Sequence, residues 1–382
     1  MAVLLWLAGV YLRIPILVAP PLAPFISDQL GLTQALTGAL TTIPILMLAI
    51  GAMPGSLAIS RIGPRNTLAL AMIIMVIGSA GRALVPETLT LMVASAVMGL
   101  GVAMMQPALP ALLPRWLAPH HVAMGSAIYM NGMLMGEFIG AGVTLPVLMP
   151  LLDQSWRATL LAWSLPALLV AAALYLPRRD LARPVKKTAW LPDWHNPLTL
   201  KLGLLLGLSG SMFFGLNAYM GNLLEQQGHF DKLSSALFYY NIAQVFASLM
   251  MLKLARSWVG RRSAIIITAA LSILGTTGAI LLEGWWTIAS ATLMSFVAGI
   301  LLILLVALPP LLVRSEDTGR LSAGTFLVGY TVAFSVPMLG GLLADVTGDT
   351  RHAIAVMIGY SLLVLPLAFT LDLKRKKDQP KS

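Results

Sequence analysis

The chain is a succession of apolar runs, each about long enough to cross a bilayer and each closed by a short polar, glycine- or proline-bearing break. The breaks fall at 27–33, 60–66, 85–88, 115–121, 153–156, 177–197, 226–233, 256–263, 283–286, 314–320 and 346–351, leaving twelve runs. Backbone in hydrocarbon must satisfy its own hydrogen bonds, so such runs fold as helices, and a spanning helix needs roughly 20 mostly apolar residues. Only 10% of the 382 residues are charged, against about 25% in a soluble chain. The expectation is an all-α integral membrane protein with twelve transmembrane helices and no room for a soluble catalytic domain. The chain has no cysteine, which excludes disulfides and thiol nucleophiles. Its five histidines lack metal-ligand spacing. The chain therefore reads as a protein other than an enzyme, without cofactor or metal. The first run lacks a basic leader and continues to Phe25 through Arg13 and four prolines, so it reads as a retained helix rather than a cleaved signal.

Basic residues set the expected orientation. With the N-terminus cytoplasmic, inner loops and tail hold twenty of the 25 Lys and Arg; the other five are Arg13, Arg82, Arg157, Lys232 and Arg351. That bias places both termini in the cytoplasm. It also accounts for the net charge of +10 without nucleic acid as a partner. The longest polar stretch, 177–197, reads as a cytoplasmic linker. It would join an N-terminal six-helix bundle (1–176) to a C-terminal one (198–373), followed by a basic tail (374–382).

The two halves resemble each other. Leu57–Arg65 and Leu254–Arg262 both fit L-A-x-S-x-x-G-x-R, 197 residues apart. Ala108–Arg115 and Ala307–Arg314 both fit A-L-P-x-L-L-x-R, 199 apart. Two matches at nearly one offset, at equivalent helix ends, point to duplication. Parallel repeats about an axis along the membrane normal relate the halves of a major facilitator transporter.

The basic turns themselves resemble the major facilitator signature G-x-x-x-D-R-x-G-R-R. Arg61, Gly63 and Arg65 fit, while Ser56 and Ser60 replace the first Gly and the Asp, so the Asp's salt bridge at the inward gate is not expected here. More narrowly, the chain resembles the branch of cyanate porters and 2-nitroimidazole exporters. The residues that carry this are Leu12-Arg13, Pro20, Pro21, Leu22, Gly81-Arg82, Leu84, Pro110, Arg115, Trp156, Thr159-Leu160, Trp163 and Leu165-Pro166-Ala167. The resemblance implies two pseudo-symmetric six-helix bundles of the major facilitator fold. It implies rocker-switch alternating access and a small-molecule solute, a monovalent anion or a small polar ring, with the basic turns Arg61, Arg65, Arg256 and Arg261 as a cytoplasmic gate. A monomer in the lipid bilayer is expected. An exporter of drug-like compounds and a non-transporting sensor remain alternatives.

Candidate site residues follow from charge and polarity at membrane depth. Arg13 lies within the first run among Leu12, Ile14 and Ile16. A guanidinium stays protonated, and an intramembrane charge is a functional-site hypothesis by default. Arg13 is expected to hold an anion or an electronegative group, with a structural ion pair to Glu137 as the other reading. The repeat offset places Gly210–Met212 opposite it, with no second cation. Glu137 is the one acid deep in a run, within a stripe of Gly132, Gly136 and Gly140 that allows close helix packing. That stripe resembles the superfamily's antiporter motif, which implies helix five packed on helix eight and Glu137 at the interface, with H+ coupling as one role for it. Asn131, Phe213, Asn217, Asn241, Gln244 and Tyr330 are the further mid-run residues expected to contact the solute, the alternative for each amide being a helix–helix hydrogen bond. Proline clusters at 15–24, 107–114 and 309–310 are expected to interrupt helices one, four and ten.

Overall fold

The computed structural model describes residues 1–118, 122–176, 194–313 and 318–373, and within them it is helical almost throughout. Helix α1 runs Ala2–Leu30. The helical stretch Gln34–Leu84 doubles back at Gly63 (φ 80°, ψ 161°), making two helices, α2 (34–62) and α3 (64–84). Then come α4 (Thr88–Trp116), α5 (122–151, its centre Ile139–Leu148 wound as a π-helix) and α6 (Trp156–Ala173). The second half holds α7 (Pro197–Gln226), α8 (Leu233–Trp258), α9 (Arg262–Leu281), α10 (Trp285–Val306), α11 (Thr318–Thr347) and α12 (Thr350–Phe369). Among the described residues, eleven of these twelve are long and apolar enough to cross a membrane. The other, α8, is of similar length at 26 residues, with Tyr240, Asn241 and Gln244 buried along it. The linker 177–193 and the tail 374–382 lie outside the described residues.

The halves repeat each other in side-chain detail. Gly63 and Gly260, 197 residues apart, turn the chain with φ of 80° and 82°. A residue with a Cβ is strained there, which is why glycine ends each basic turn. Arg65 donates to the carbonyls of Leu174 and Leu176 at 2.6 and 3.2 Å. Arg262 donates to the carbonyl of Leu371. Leu174 and Leu371 are again 197 apart. In each half the arginine after the glycine turn therefore caps the last carbonyls of that half's sixth helix, where a cation is favoured.

The molecule has a basic end, carrying the turns at Gly63 and Gly260, and a far end, carrying the turns at Gly31, Gly228 and Gly348. At the far end the halves are tied together. Asp345 of α11 accepts hydrogen bonds from the backbone N–H groups of Gln34 and Ala35 at the start of α2. Asn222 and Thr350 both donate to the Gln34 side-chain carbonyl. Phe25 and Phe230 meet at 6.3 Å between ring centroids.

Two sequence expectations are corrected. Helix α5 does pack on α8 as expected, with Glu137 between the halves, but its glycine stripe faces α1: a Cβ at Gly132, Gly136 or Gly140 would meet the carbonyl oxygens of Trp6, Val10 and Ile14. Small residues admit a backbone but do not specify whose. The α8 contact instead comes through Phe138 on Phe238, edge to face at 5.1 Å. Prolines 107, 110 and 114 do not interrupt α4, which is continuous over Thr88–Trp116. Membrane helices tolerate proline where local adjustment and neighbours take up the freed carbonyls. Prolines do break α1 near Arg13 and set off the short turn Pro309–Leu312 after α10.

Candidate functional site

Arg13 reaches the middle of the molecule because α1 is broken there. The helix stops at Val10 and restarts at Ile14, with Arg13 at the junction (φ −129°, ψ −35°). Pro15 has no N–H, so the backbone around residue 11 cannot close a full helical ladder. A second buried arginine supports the break. Arg82 of α3, 1% exposed, donates to the Pro15 carbonyl at 2.7 Å and to Ser79 Oγ at 3.1 Å. Ser164 of α6 in turn donates to Ser79 Oγ at 2.7 Å.

Arg13 Nε lies 3.0 Å from Glu137 Oε1, with both side chains 5% exposed. The Arg13 guanidinium also lies over the Phe214 ring, 5.7 Å from its centroid. Among the described residues, the Nε hydrogen is not aligned on a hydrogen-bond acceptor, and Nη1 is buried without a partner. The pair is thus a close Coulombic contact that leaves donor capacity free, which is costly in a low-dielectric interior unless something else accepts.

These groups line a small cavity of about 30 Å³. Arg13 and Glu137 come from the first half. From the second come Leu206, Ser209, Gly210, Phe213 and Phe214 of α7, Gln244 of α8, Ala298 and Leu302 of α10, and Gly329 and Tyr330 of α11. One half supplies the charges; the other supplies an aromatic and weakly polar wall. The wall is braced from behind. Phe213 stacks on Tyr240 at 5.5 Å and 14°, and the Tyr240 hydroxyl donates to the Phe213 carbonyl at 2.9 Å. Tyr330 stacks on Phe326 at 5.7 Å and 18°. Gln244 Nε2 donates to the Ser295 carbonyl at 2.8 Å, and the Ser209 hydroxyl donates to the Ala298 carbonyl at 2.9 Å.

Of the residues singled out from sequence, Arg13, Glu137, Phe213, Gln244 and Tyr330 share this cavity. Asn131 lies elsewhere and accepts from Trp6 Nε1 at 3.0 Å. Asn217 is one turn from Phe213, but its amide donates to Asn241 Oδ1 at 3.0 Å, joining α7 to α8. Both are absent from the lining. At the basic end, Arg61 and Arg261 are exposed, Arg65 is engaged within its own half, and the side chain of Arg256 lies outside the described residues. Sequence reasoning missed Phe214, whose one signal was its place beside Phe213. The repeat offset did reach Gly210, which lines the cavity opposite Arg13.

A pseudo-twofold, twelve-helix membrane protein with a charged cavity between its halves belongs to a transporter class. Residues 5–335 match the family model of the Major Facilitator Superfamily, and the chain belongs to that superfamily. It is 24% identical over 386 residues to the cyanate transport protein CynX of Escherichia coli (strain K12), covering 97% of each chain. It is 26% identical over 378 residues to the 2-nitroimidazole transporter of the same organism, covering 96% of this chain and 93% of that one. Among solved structures, a bacterial homolog of the human lysosomal transporter Spinster, inward-facing and occupied, superposes with a TM-score of 0.77 at 14% identity. It covers 97% of this chain and 95% of that one. The xylose transporter XylE from E. coli, inward open, gives 0.74 at 13% identity, covering 95% and 94%.

Proposed function

We propose that the protein is a secondary transporter that carries a small monovalent anion, cyanate-like in size, together with a proton. It does so by alternating access of the two halves around the Arg13–Glu137 cavity. The observation that carries the reading is the buried guanidinium with a free donor edge in a cavity shared by both halves. The room favours the smaller of the two solutes that the relatives' names suggest. A water needs roughly 10–15 Å³ measured this way, so 30 Å³ takes about two water-sized groups. That suits a linear triatomic anion, whereas a nitro-substituted ring needs several times as much.

Charge balance supplies the coupling. Arg13 and Glu137 together are neutral. An anion added alone would leave a net negative charge in a medium where uncompensated charge is expensive. An anion that arrives with a proton on Glu137 leaves the site neutral, with the Arg13 donors turned to the solute. The basic ends of the helices point to the cytoplasm on the charge-bias argument, in a cytoplasmic membrane and with the protein acting as a monomer. Arg61, exposed at that end, is the gate residue free to reach across when it closes.

The stacked aromatics Phe213–Tyr240 and Phe326–Tyr330 favour a second reading, an exporter of small nitroaromatic rings. Thermal stability of the purified protein separates the two, since a ligand that binds only the folded state raises Tm. The proposal expects cyanate to stabilise the wild type and to lose that effect in Arg13→Gln. Stabilisation by 2-nitroimidazole alone, unchanged in Arg13→Gln, would replace it with the exporter.

A further inference from the structure

A second, apolar recess lies apart from the central cavity. It is a trough of about 420 Å³ in the second half, walled by α8 and α9 and floored by α10. Met250 of α8, Ile267 and Leu271 of α9, and Leu293, Phe296 and Ile300 of α10 line it. Ile267 and Leu293 are 56% and 45% exposed, so the trough opens on the outer surface of the helix bundle rather than on the seam between halves. At the basic end its lining changes character: Trp258, Arg261 and Ser263 close it. They are brought together by the turn at Gly260 (φ 82°), in which the Arg261 N–H bonds the Trp258 carbonyl at 3.0 Å. Among the described residues, none that lines the trough is acidic. Arg261 is exposed and has no carboxylate partner among the described residues.

We propose that this trough is a binding site for one anionic phospholipid, with an acyl chain along α8–α10 and the headgroup phosphate on Arg261. An apolar length ending in an exposed cation at the membrane boundary is complementary to a chain ending in an anion, and a tryptophan there suits the headgroup level. A guanidinium recognises a phosphate by forked, charge-assisted hydrogen bonds, and the Ser263 hydroxyl stands beside it as a further donor. The site is separate from the central cavity and does not depend on the solute's identity. It bears on transport through α8, which lines the trough with Met250 and the cavity with Gln244.

Native mass spectrometry of the full chain tests this, with dioleoyl phosphatidylglycerol and dioleoyl phosphatidylcholine supplied in equal amounts. One cation at the surface favours an anionic lipid by about 1 kcal/mol, or about fivefold. The wild type should retain one phosphatidylglycerol with about that preference. Arg261→Gln should lose the preference while still holding lipid. Ile267→Trp should fill the trough and lose both lipids. Lys201→Gln removes a cation on α7, outside the trough, and should change nothing. Equal retention of the two lipids by the wild type, or a preference that survives Arg261→Gln, would overturn the site. So would a preference that falls equally in Lys201→Gln, because attraction would then be diffuse surface charge.

Discussion

At the scale of the residue, the central fact is an arginine and a glutamate that share one buried contact. Removing one partner of a buried pair costs about 3–5 kcal/mol because the other is left uncompensated. Arg13→Gln and Glu137→Gln should each lower Tm, and the double variant should recover much of the loss; additive losses would mean that the pair is not coupled. Glu137→Gln carries a sharper expectation. With the carboxylate gone, an added anion takes its place beside Arg13, so cyanate should raise Tm more in Glu137→Gln than in the wild type. A smaller shift would separate Glu137 from the anion's position. Arg13 and Glu137 stood out in the sequence because a charge in an apolar run has few explanations. Phe214 and Ser209 did not, because an aromatic or a hydroxyl in a membrane helix is common, and only the rotation of α7 shows that they face the cavity. Asn131 and Asn217 show the converse, since mid-run polarity was legible and its satisfaction by Trp6 and Asn241 was not.

At the scale of the element, the glycine stripe of α5 shows what a motif leaves open. Its capacity for close approach was readable, but α1 is the helix that approaches, with the Val10 carbonyl against the place a Gly136 Cβ would take. Gly136→Ala should force α1 and α5 apart and lower Tm more than Gly359→Ala, a helical glycine with nothing near its Cβ. Equal effects would remove the stripe's packing role. The tie between α11 and α2 belongs to this scale as well. A carboxylate on a helix N-terminus contributes about 0.3–1 kcal/mol, up to ~2 when partly buried. Asp345→Asn should therefore loosen the far end. The chain has no native cysteine, so Thr42→Cys, buried in α2, gives a clean reporter. Its maleimide labelling should speed up about two- to fivefold in the Asp345→Asn background. An unchanged rate would mean that the contact does not hold the halves together.

At the scale of the whole molecule, the duplication was legible in two short motifs. The structure extends it to the glycine turns and to the arginine caps on Leu174 and Leu371, all at the offset of 197. How the halves associate was not legible, because it depends on contacts between residues about 310 positions apart. Orientation is tested directly. Asp231→Cys at the far end should label with an impermeant maleimide in intact cells, and Ser257→Cys at the basic end should not. The reverse pattern would invert the topology.

The most direct test of the central claim is uptake of radiolabelled cyanate into proteoliposomes under an imposed pH gradient, after subtraction of protein-free vesicles. The coupled movement of one anion and one proton predicts accumulation driven by an inward proton gradient and indifferent to an imposed membrane potential. It also predicts loss of uptake in Arg13→Gln and loss of gradient dependence in Glu137→Gln. Uptake that follows the membrane potential and ignores the pH gradient would contradict it.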